Sequence, residues 1–597
     1  MTMPKFRVRL PLVAVFAASL AACATVPGEP VATAAPAAAA DQRAALLALF
    51  ERSDAAFLER NPTAAFFRGD FSRADRLGNG FAPDYYDKER AAAEQELAAL
   101  EAIDRNALSA EDRISWDVFA YNQQRTIEQT NPANLPFEKF LPIDHFRGFH
   151  IGYPRLSSAG GVMPFDTVTD YENALKRHAQ VPAQVDAAIA RMREGMAAGV
   201  VQPRLTVSTM IEQLDTQLKL TTEQTPYWTP IGAFPAAIGV ADRTRLTAGM
   251  RAAIERDIRP SLQKLRTFLA TEYLPVSRPG TGLNSAKGGD TYYRYRIAEM
   301  TTLPLTAEEV HATGLAEVAR INAGLAKART EAAGRKPQIY RDKASLTKAW
   351  YDLAARVDPL LPRLFAAQPK TPLEIRPYEP FREQFQAGGS YEAGTPDGSR
   401  PGVFYFNAYD LPSRTTPGMT TLYLHEGAPG HHFQISLARE NAALPAFMRF
   451  GGNTAYNEGW ALYAETLGYP MGLFKDPYQR QGTLDDEMLR AMRLVVDTGI
   501  HAKGWTREKA IDYMLANSAM GRTDATAEVE RYIAIPSQAL AYKVGALKIQ
   551  ELRKKAEAAL GPKFDIRAFH AQVLDTGSLP MPVLEAKIDR WIAAGGA

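Results

Sequence analysis

His425-Glu426-Gly427-Ala428-Pro429-Gly430-His431-His432, followed by Asn457-Glu458-Gly459-Trp460, is the stretch on which the reading of this chain turns. The protein has nine histidines in 597 residues, and three of them fall between positions 425 and 432, with a carboxylate beside the first. Two imidazoles and one carboxylate make a zinc ligand set that leaves a position open to water, lowers the pKa of that water and lets the ion polarise a carbonyl. The pattern therefore predicts one Zn2+, with His425 and Glu458 among its ligands and Glu426 as general base of a hydrolytic reaction.

The spacing is not that of H-E-x-x-H on a regular helix, where the two histidines stand about 40° apart and about 6 Å along the axis. His431 is about 240° round from His425, and His432 is on the right face but about 10 Å along, too far to share an ion. Pro429 lacks an N–H, and its ring clashes with the carbonyl of His425 four residues back, while Gly427 and Gly430 relax the backbone on either side. We expect the helix to bulge by two residues there. His431 then takes the place of the second ligand, ahead of His432, which becomes a neighbour of the ligands or a substrate contact. Glu465, two turns beyond Glu458 on a second expected helix, either orients a ligand or is a solvated charge.

Taken together, LHEGAPGHHFQ, YNEGWALYAE, RLVVDTGIHAKGW and EVERYIAIPSQALAYKVG resemble, in order and spacing, the family called domain of unknown function 885, and TLPLTAEEVHATGLAEVARI (302–321) adds to the likeness. That family is similar to the gluzincin metallopeptidases, including the carboxypeptidase Taq and angiotensin-converting-enzyme-like groups. The resemblance implies a mainly α, zincin-like fold with a small β-sheet beside the metal helix and a deep cleft. It also implies a zinc-dependent peptidase acting on short peptides, a carboxypeptidase or dipeptidase rather than an endopeptidase. The two-residue insertion is where this chain departs from ordinary gluzincins.

Two further motifs bear on such a site. Arg493, Asp497 and His501 are spaced i, i+4, i+8 and share a helical face among Leu494, Val495, Val496 and Ile500, positioned to orient a zinc histidine, grip substrate or form an ion-pair ladder. In Arg531-Tyr532-Ile-Ala-Ile-Pro536-Ser-Gln538-Ala-Leu-Ala-Tyr542-Lys543, Pro536 is expected to start a helix that puts Gln538 and Tyr542 on one face. Tyr532 or Tyr542 would donate to the oxyanion, as phenols do in the related helical peptidases, and Arg531 or Lys543 would pair with a substrate carboxylate. Gly402 to Tyr409 alternates and is aromatic, which reads as a strand, either an edge strand able to bind extended peptide, placed where these enzymes keep one, or a plain core strand. The Gly-rich stretch 388–401 reads as a loop over the cleft. Gly288 to Tyr295 reads as a surface turn or a cleft segment.

At the N-terminus, Lys5, Arg7 and Arg9 precede an apolar run from Leu10 to Leu20 that ends in Leu20-Ala21-Ala22-Cys23. This predicts a lipoprotein signal peptide over 1–22 and a lipidated Cys23, the single cysteine of the chain, which excludes intramolecular disulfides. Ala24 resembles the residue found in lipoproteins sent to the outer membrane, so the expected address is a membrane anchor facing the periplasm or cell surface. Residues 23–41 read as an Ala/Pro-rich tether, 42–400 as a helical N-terminal lobe with cleft-lining segments, and 401–597 as the zinc-binding region. A net charge of +2, from 69 basic and 67 acidic residues, gives no footprint for nucleic acid. The expected partners are a peptide substrate and the membrane. A zinc amidohydrolase acting on cell-wall or other non-peptide amides, and a surface binding lipoprotein with a weak site, are the alternative functions.

Overall fold

The computed structural model describes residues 35–335, 339–378, 383, 387–411, 414 and 416–596. The protein is mainly α. Thr306 caps the helix Ala307–Glu331 by accepting the Glu309 N–H, while the Glu309 side chain reaches back to Thr306, a reciprocal cap that satisfies two orphan donors. Val318, Ile321 and Leu325, three and four residues apart, then bury against Met488, Met492, Val495 and Val496 of the long helix Pro477–His501. Ile114, Val118 and Trp350 share a hydrophobic cluster with Tyr423, Trp460 and Trp591, so residues on both sides of position 400 build the same core. Among the described residues, no helix is long and apolar enough to cross a membrane. The expected signal peptide and Cys23 lie outside the described residues.

A three-stranded sheet, order β1-β3-β2, comprises β1 (Leu373–Pro377), β2 (Gly389–Glu392) and β3 (Gly402–Phe406). β3 pairs parallel with β1 and antiparallel with β2. The expected edge strand is therefore the central one. Its residues are buried on both faces, with Trp350 against Phe404 and Phe406; an unbroken apolar run of this kind marks a covered strand. The edge on the antiparallel side is β2, inside the stretch expected to be a loop, where Gly-Ser-Tyr-Glu carries almost no apolar signal because main-chain pairing forms the strand.

Three other expectations are corrected. The tether is shorter than residues 23–41, because the helix Ala35–Arg60 begins within it; alanine is the best helix former. Residues 289–301 form a helix, not a surface turn, in which Tyr292, Tyr293 and Tyr295 are buried. Pro536 does not start a helix: it lies in the turn between helices Arg522–Ala534 and Leu540–Leu560.

Candidate metal centre

The helix Met419–Glu426 ends one residue after His425, and a new helix, His431–Glu440, starts at His431. The expected bulge is thus a complete break. A Cβ on Gly430 would lie 1.9 Å from the His425 carbonyl oxygen, so only glycine lets the chain turn back this tightly. Trp460, fully buried, donates its indole N–H to the Pro429 carbonyl at 2.8 Å and pins the turn to the helix Thr454–Thr466.

That turn brings His425 and His431 to the carboxylate of Glu458 on the Thr454–Thr466 helix. His431 Nε2 is 3.4 Å and His425 Nε2 3.6 Å from Glu458 Oε2, and one ligand atom from each residue lies within 4.8 Å of the others. His432 is not part of the group. Its Nδ1 faces Tyr391 Oη on β2 at 3.1 Å and Ser436 Oγ at 3.5 Å, and burial lowers its pKa to about 4.

Behind His425, Glu465 contacts Nδ1 at 2.8 Å. Glu465 is buried, not solvated, and Arg490 stands 3.7 Å behind it; Asp486, 3.6 Å from Arg490, is raised by burial to about 7. Glu426 is also buried. Burial opposes charge on His425, but hydrogen bonds to Glu458 and Glu465 and the nearby Glu426 outweigh it and lift the imidazole to about 10. Burial likewise works against the Glu458 carboxylate, yet His431 and His425 hold it well below the usual carboxylate range. Three carboxylates around two imidazoles call for positive charge. The donor set, two ring nitrogens and one carboxylate oxygen with a hydrogen-bonded acid behind one histidine, is that of a zinc site. The residues fit the ion.

The remaining expected site residues divide. Arg493 pairs with Glu528 at 3.0 Å, touches Tyr532 Oη at 3.3 Å and lies 4.6 Å over the Tyr542 ring. Burial disfavours its charge, but Glu528 holds it well above the usual arginine value. Tyr532 is fully buried with its hydroxyl donated to Glu528, so it is not free to donate to a substrate. Tyr542 Oη instead accepts from Arg531 at 3.2 Å and Gln538 at 3.5 Å. Its ring packs on Leu462, one turn beyond Glu458. Arg531 also holds Gln538 at 2.8 Å. Lys543 is buried between Glu487 at 2.6 Å and Glu317 at 2.7 Å, which removes it as a carboxylate binder. Asp497 accepts from Tyr293 at 2.6 Å and from the Ser537 N–H at 3.1 Å, fixing the turn in which Ser537 has φ 67°. His501 accepts the Leu283 N–H at 3.1 Å and donates to the Tyr532 carbonyl at 2.9 Å. Asp497 and His501 hold the scaffold and reach no ligand. Sequence reading missed Glu528, Asp486, Arg490 and Tyr391; the i, i+4 spacing of Glu528 to Tyr532 and of Asp486 to Arg490 is a signal that could have found the first three, while Tyr391 carries no local signal.

The helices that carry these groups pack without side chains between them. A Cβ on Gly459 would meet the Gly545 carbonyl carbon at 2.5 Å, and one on Gly545 would meet the Ala455 oxygen at 1.9 Å. Helices Thr454–Thr466 and Leu540–Leu560 therefore touch backbone to backbone beside Glu458.

The chain belongs to the family described as bacterial protein of unknown function (DUF885), whose model matches residues 62–588. A crystal structure of a putative lipoprotein from Colwellia psychrerythraea is similar over 92% of this chain and 99% of that one, at 26% identity and TM-score 0.85. A second, of a putative lipoprotein of unknown function from Shewanella oneidensis, shares the fold at 16% identity and TM-score 0.64, over 90% of this chain and 98% of its own. None of the curated proteins matches the chain.

Proposed function

We propose that this protein is a zinc-dependent metallopeptidase of zincin-like architecture that hydrolyses short peptides, trimming them as a carboxypeptidase or dipeptidase. The observation that carries the reading is the convergence of His425, His431 and Glu458 from three helices, with Glu465 behind His425. These three residues would hold the ion, which supplies Lewis acidity toward a carbonyl and toward water.

The chain's own residues supply the rest. Glu426, next to a ligand and buried, takes a proton from the attacking water and returns it to the leaving amine. Glu465 keeps the His425 ring in one tautomer with Nε2 toward the site. Tyr542, whose oxygen already accepts from Arg531 and Gln538, keeps its own proton to donate to the developing oxyanion. Arg531 is the remaining cation for a substrate carboxylate. β2, not β3, is the edge that an extended peptide would lengthen. The leader ending at Cys23, with Ala24 after it, supports a lipid-anchored protein at the outer membrane, facing the periplasm or cell surface, and the similar Colwellia psychrerythraea protein is likewise described as a putative lipoprotein.

The test is mass-spectrometric profiling of a mixed peptide library incubated with the detergent-solubilised full chain, beside its Glu426→Gln variant, with bound metal measured on both. Products from the wild type alone, with one zinc per chain, are expected. Identical traces would remove the peptidase reading and move amide hydrolysis of non-peptides ahead.

A further inference from the structure

Away from the ligand group, a cavity of about 500 Å³ lies between helices Ala35–Arg60, Tyr85–Glu101 and Ala110–Gln129 on one side and residues 439–453 on the other. Its wall is aromatic, with Phe50, Phe57, Phe67, Phe119, Phe447 and Phe450 all facing it. Phe50, Phe119 and Phe447 pack on one another with centroids 4.9, 4.9 and 5.3 Å apart. Phe57 and Phe67 remain 36% and 52% exposed. Volume and lining fall within the range of small-molecule sites, where an apolar wall carries a few placed polar groups.

The charges in the wall do not all cancel. Arg60 pairs with Glu89 at 2.6 Å and Arg68 with Asp54 at 2.8 Å. Two groups are left over. The Glu96 carboxylate is held by the Ser53 hydroxyl at 2.8 Å, with no ion pair among the described residues, and burial pushes its pKa up. Arg439 gives its N–H groups to the Gly394 carbonyl at 2.8 Å and the Phe67 carbonyl at 3.3 Å and has no carboxylate among the described residues. An acid and a guanidinium without an ion-pair contact in a partly desolvated aromatic cavity, the acid feeling Arg60 only through its field, each carry a solvation cost that an opposite charge in contact relieves.

We propose that this cavity binds a zwitterion with an apolar body, a hydrophobic dipeptide, with its ammonium on Glu96, its carboxylate on Arg439 and its side chains among the phenylalanines. The size agrees. A sphere of that volume is about 10 Å across, and an extended chain advances at most about 3.6 Å per residue, so two residues with their side chains fill it. The aromatic wall favours aromatic and branched side chains through edge-to-face and apolar contact. The site is independent of the metal ligands and does not rest on the peptidase reading.

The experiment is isothermal titration calorimetry of the full chain in detergent with L-phenylalanyl-L-phenylalanine, in a Glu426→Gln background so that the probe cannot be turned over. We expect saturable binding that weakens at least tenfold on adding Glu96→Gln, which keeps an oxygen for Ser53. 3-Phenylpropionate and phenethylamine, each lacking one of the two charges, are expected to bind at least tenfold more weakly than the dipeptide. Absence of saturable heat, or equal affinity after Glu96→Gln, overturns the proposal. Should Glu96→Gln not fold, Phe67→Ser, at an exposed rim position, decides in its place: weaker binding upholds the site and unchanged binding removes it. Turnover of a peptide library by the wild type is read separately, so either conclusion can fail alone.

Discussion

The His425–His431–Glu458 group, buried at His425 and half-buried at the other two, and the buried Arg493–Asp497–His501 row both combine an acid with imidazole, and both sit on packed helices. They differ in how their polar atoms are used. Around Asp497 and His501 the chain provides its own partners: Tyr293 and Ser537 for the acid, Leu283 and Tyr532 for the two ring nitrogens. Around His425, Glu465 takes one nitrogen, and the other faces Glu458, which His431 faces as well. His431 Nδ1 is buried with no hydrogen-bond partner. Satisfied polar groups rigidify a fold, whereas unsatisfied ones mark a place for something else.

This contrast breaks first at Glu426. Glu426→Gln is expected to lower peptide turnover by about 10²–10⁴-fold, the usual worth of a positioned base, with melting temperature unchanged; equal loss of both would make it a scaffold residue. His431→Ala should abolish stoichiometric zinc while His432→Ala retains it, read by elemental analysis of dialysed protein. Removing the group behind the ligand, by Glu465→Gln, should weaken zinc about 10–100-fold in a chelator competition, whereas Asp497→Asn should leave zinc affinity unchanged.

A subtler difference lies in the pH dependence of stability. Burial raises Asp497 to about 7, so the folded state holds a proton that the unfolded chain releases near pH 4, and this contribution fades as pH rises from about 4 to about 7. Burial lowers His501 to about 3. The unfolded chain then binds the extra proton, and this contribution is lost as pH falls from about 6.5 toward 3. The two slopes oppose each other over a shared window. Urea unfolding across pH 4–7 should therefore show Asp497→Asn gaining on the wild type as pH rises and His501→Gln losing ground; matching slopes would mean neither group titrates with folding. Tyr542→Phe is expected to lower kcat with little change in KM, by less than the about 10²-fold that losing one oxyanion donor costs, since zinc remains to hold the oxyanion.

Much of the candidate site was legible because its chemistry is local: His425, Glu426 and Glu458 stand out by residue type, and the proline and glycines before His431 favour it over His432 as the residue that joins His425 and Glu458. What was not legible depends on contacts distant in sequence. Whether Glu465 faces solvent or His425 is decided by packing across 40 residues, and Lys543 looked available until Glu317 and Glu487 closed on it. Alternation located β3 but not its central place, which depends on cover over both faces, and it missed β2, whose four weakly apolar residues form a strand through pairing with β3. Pro536 misled for a related reason. A proline suits a first helical turn, but the Asp497 carboxylate holds the next residue in a left-handed conformation that delays the helix to Leu540.

The backbone contact between Gly459 and Gly545 carries a mechanical consequence. With no side chain between them, the two helices mesh like cogs without clearance, which sets the offset between Glu458 and Tyr542. A methyl group at either glycine would act as a wedge, moving one half of the constellation against the other.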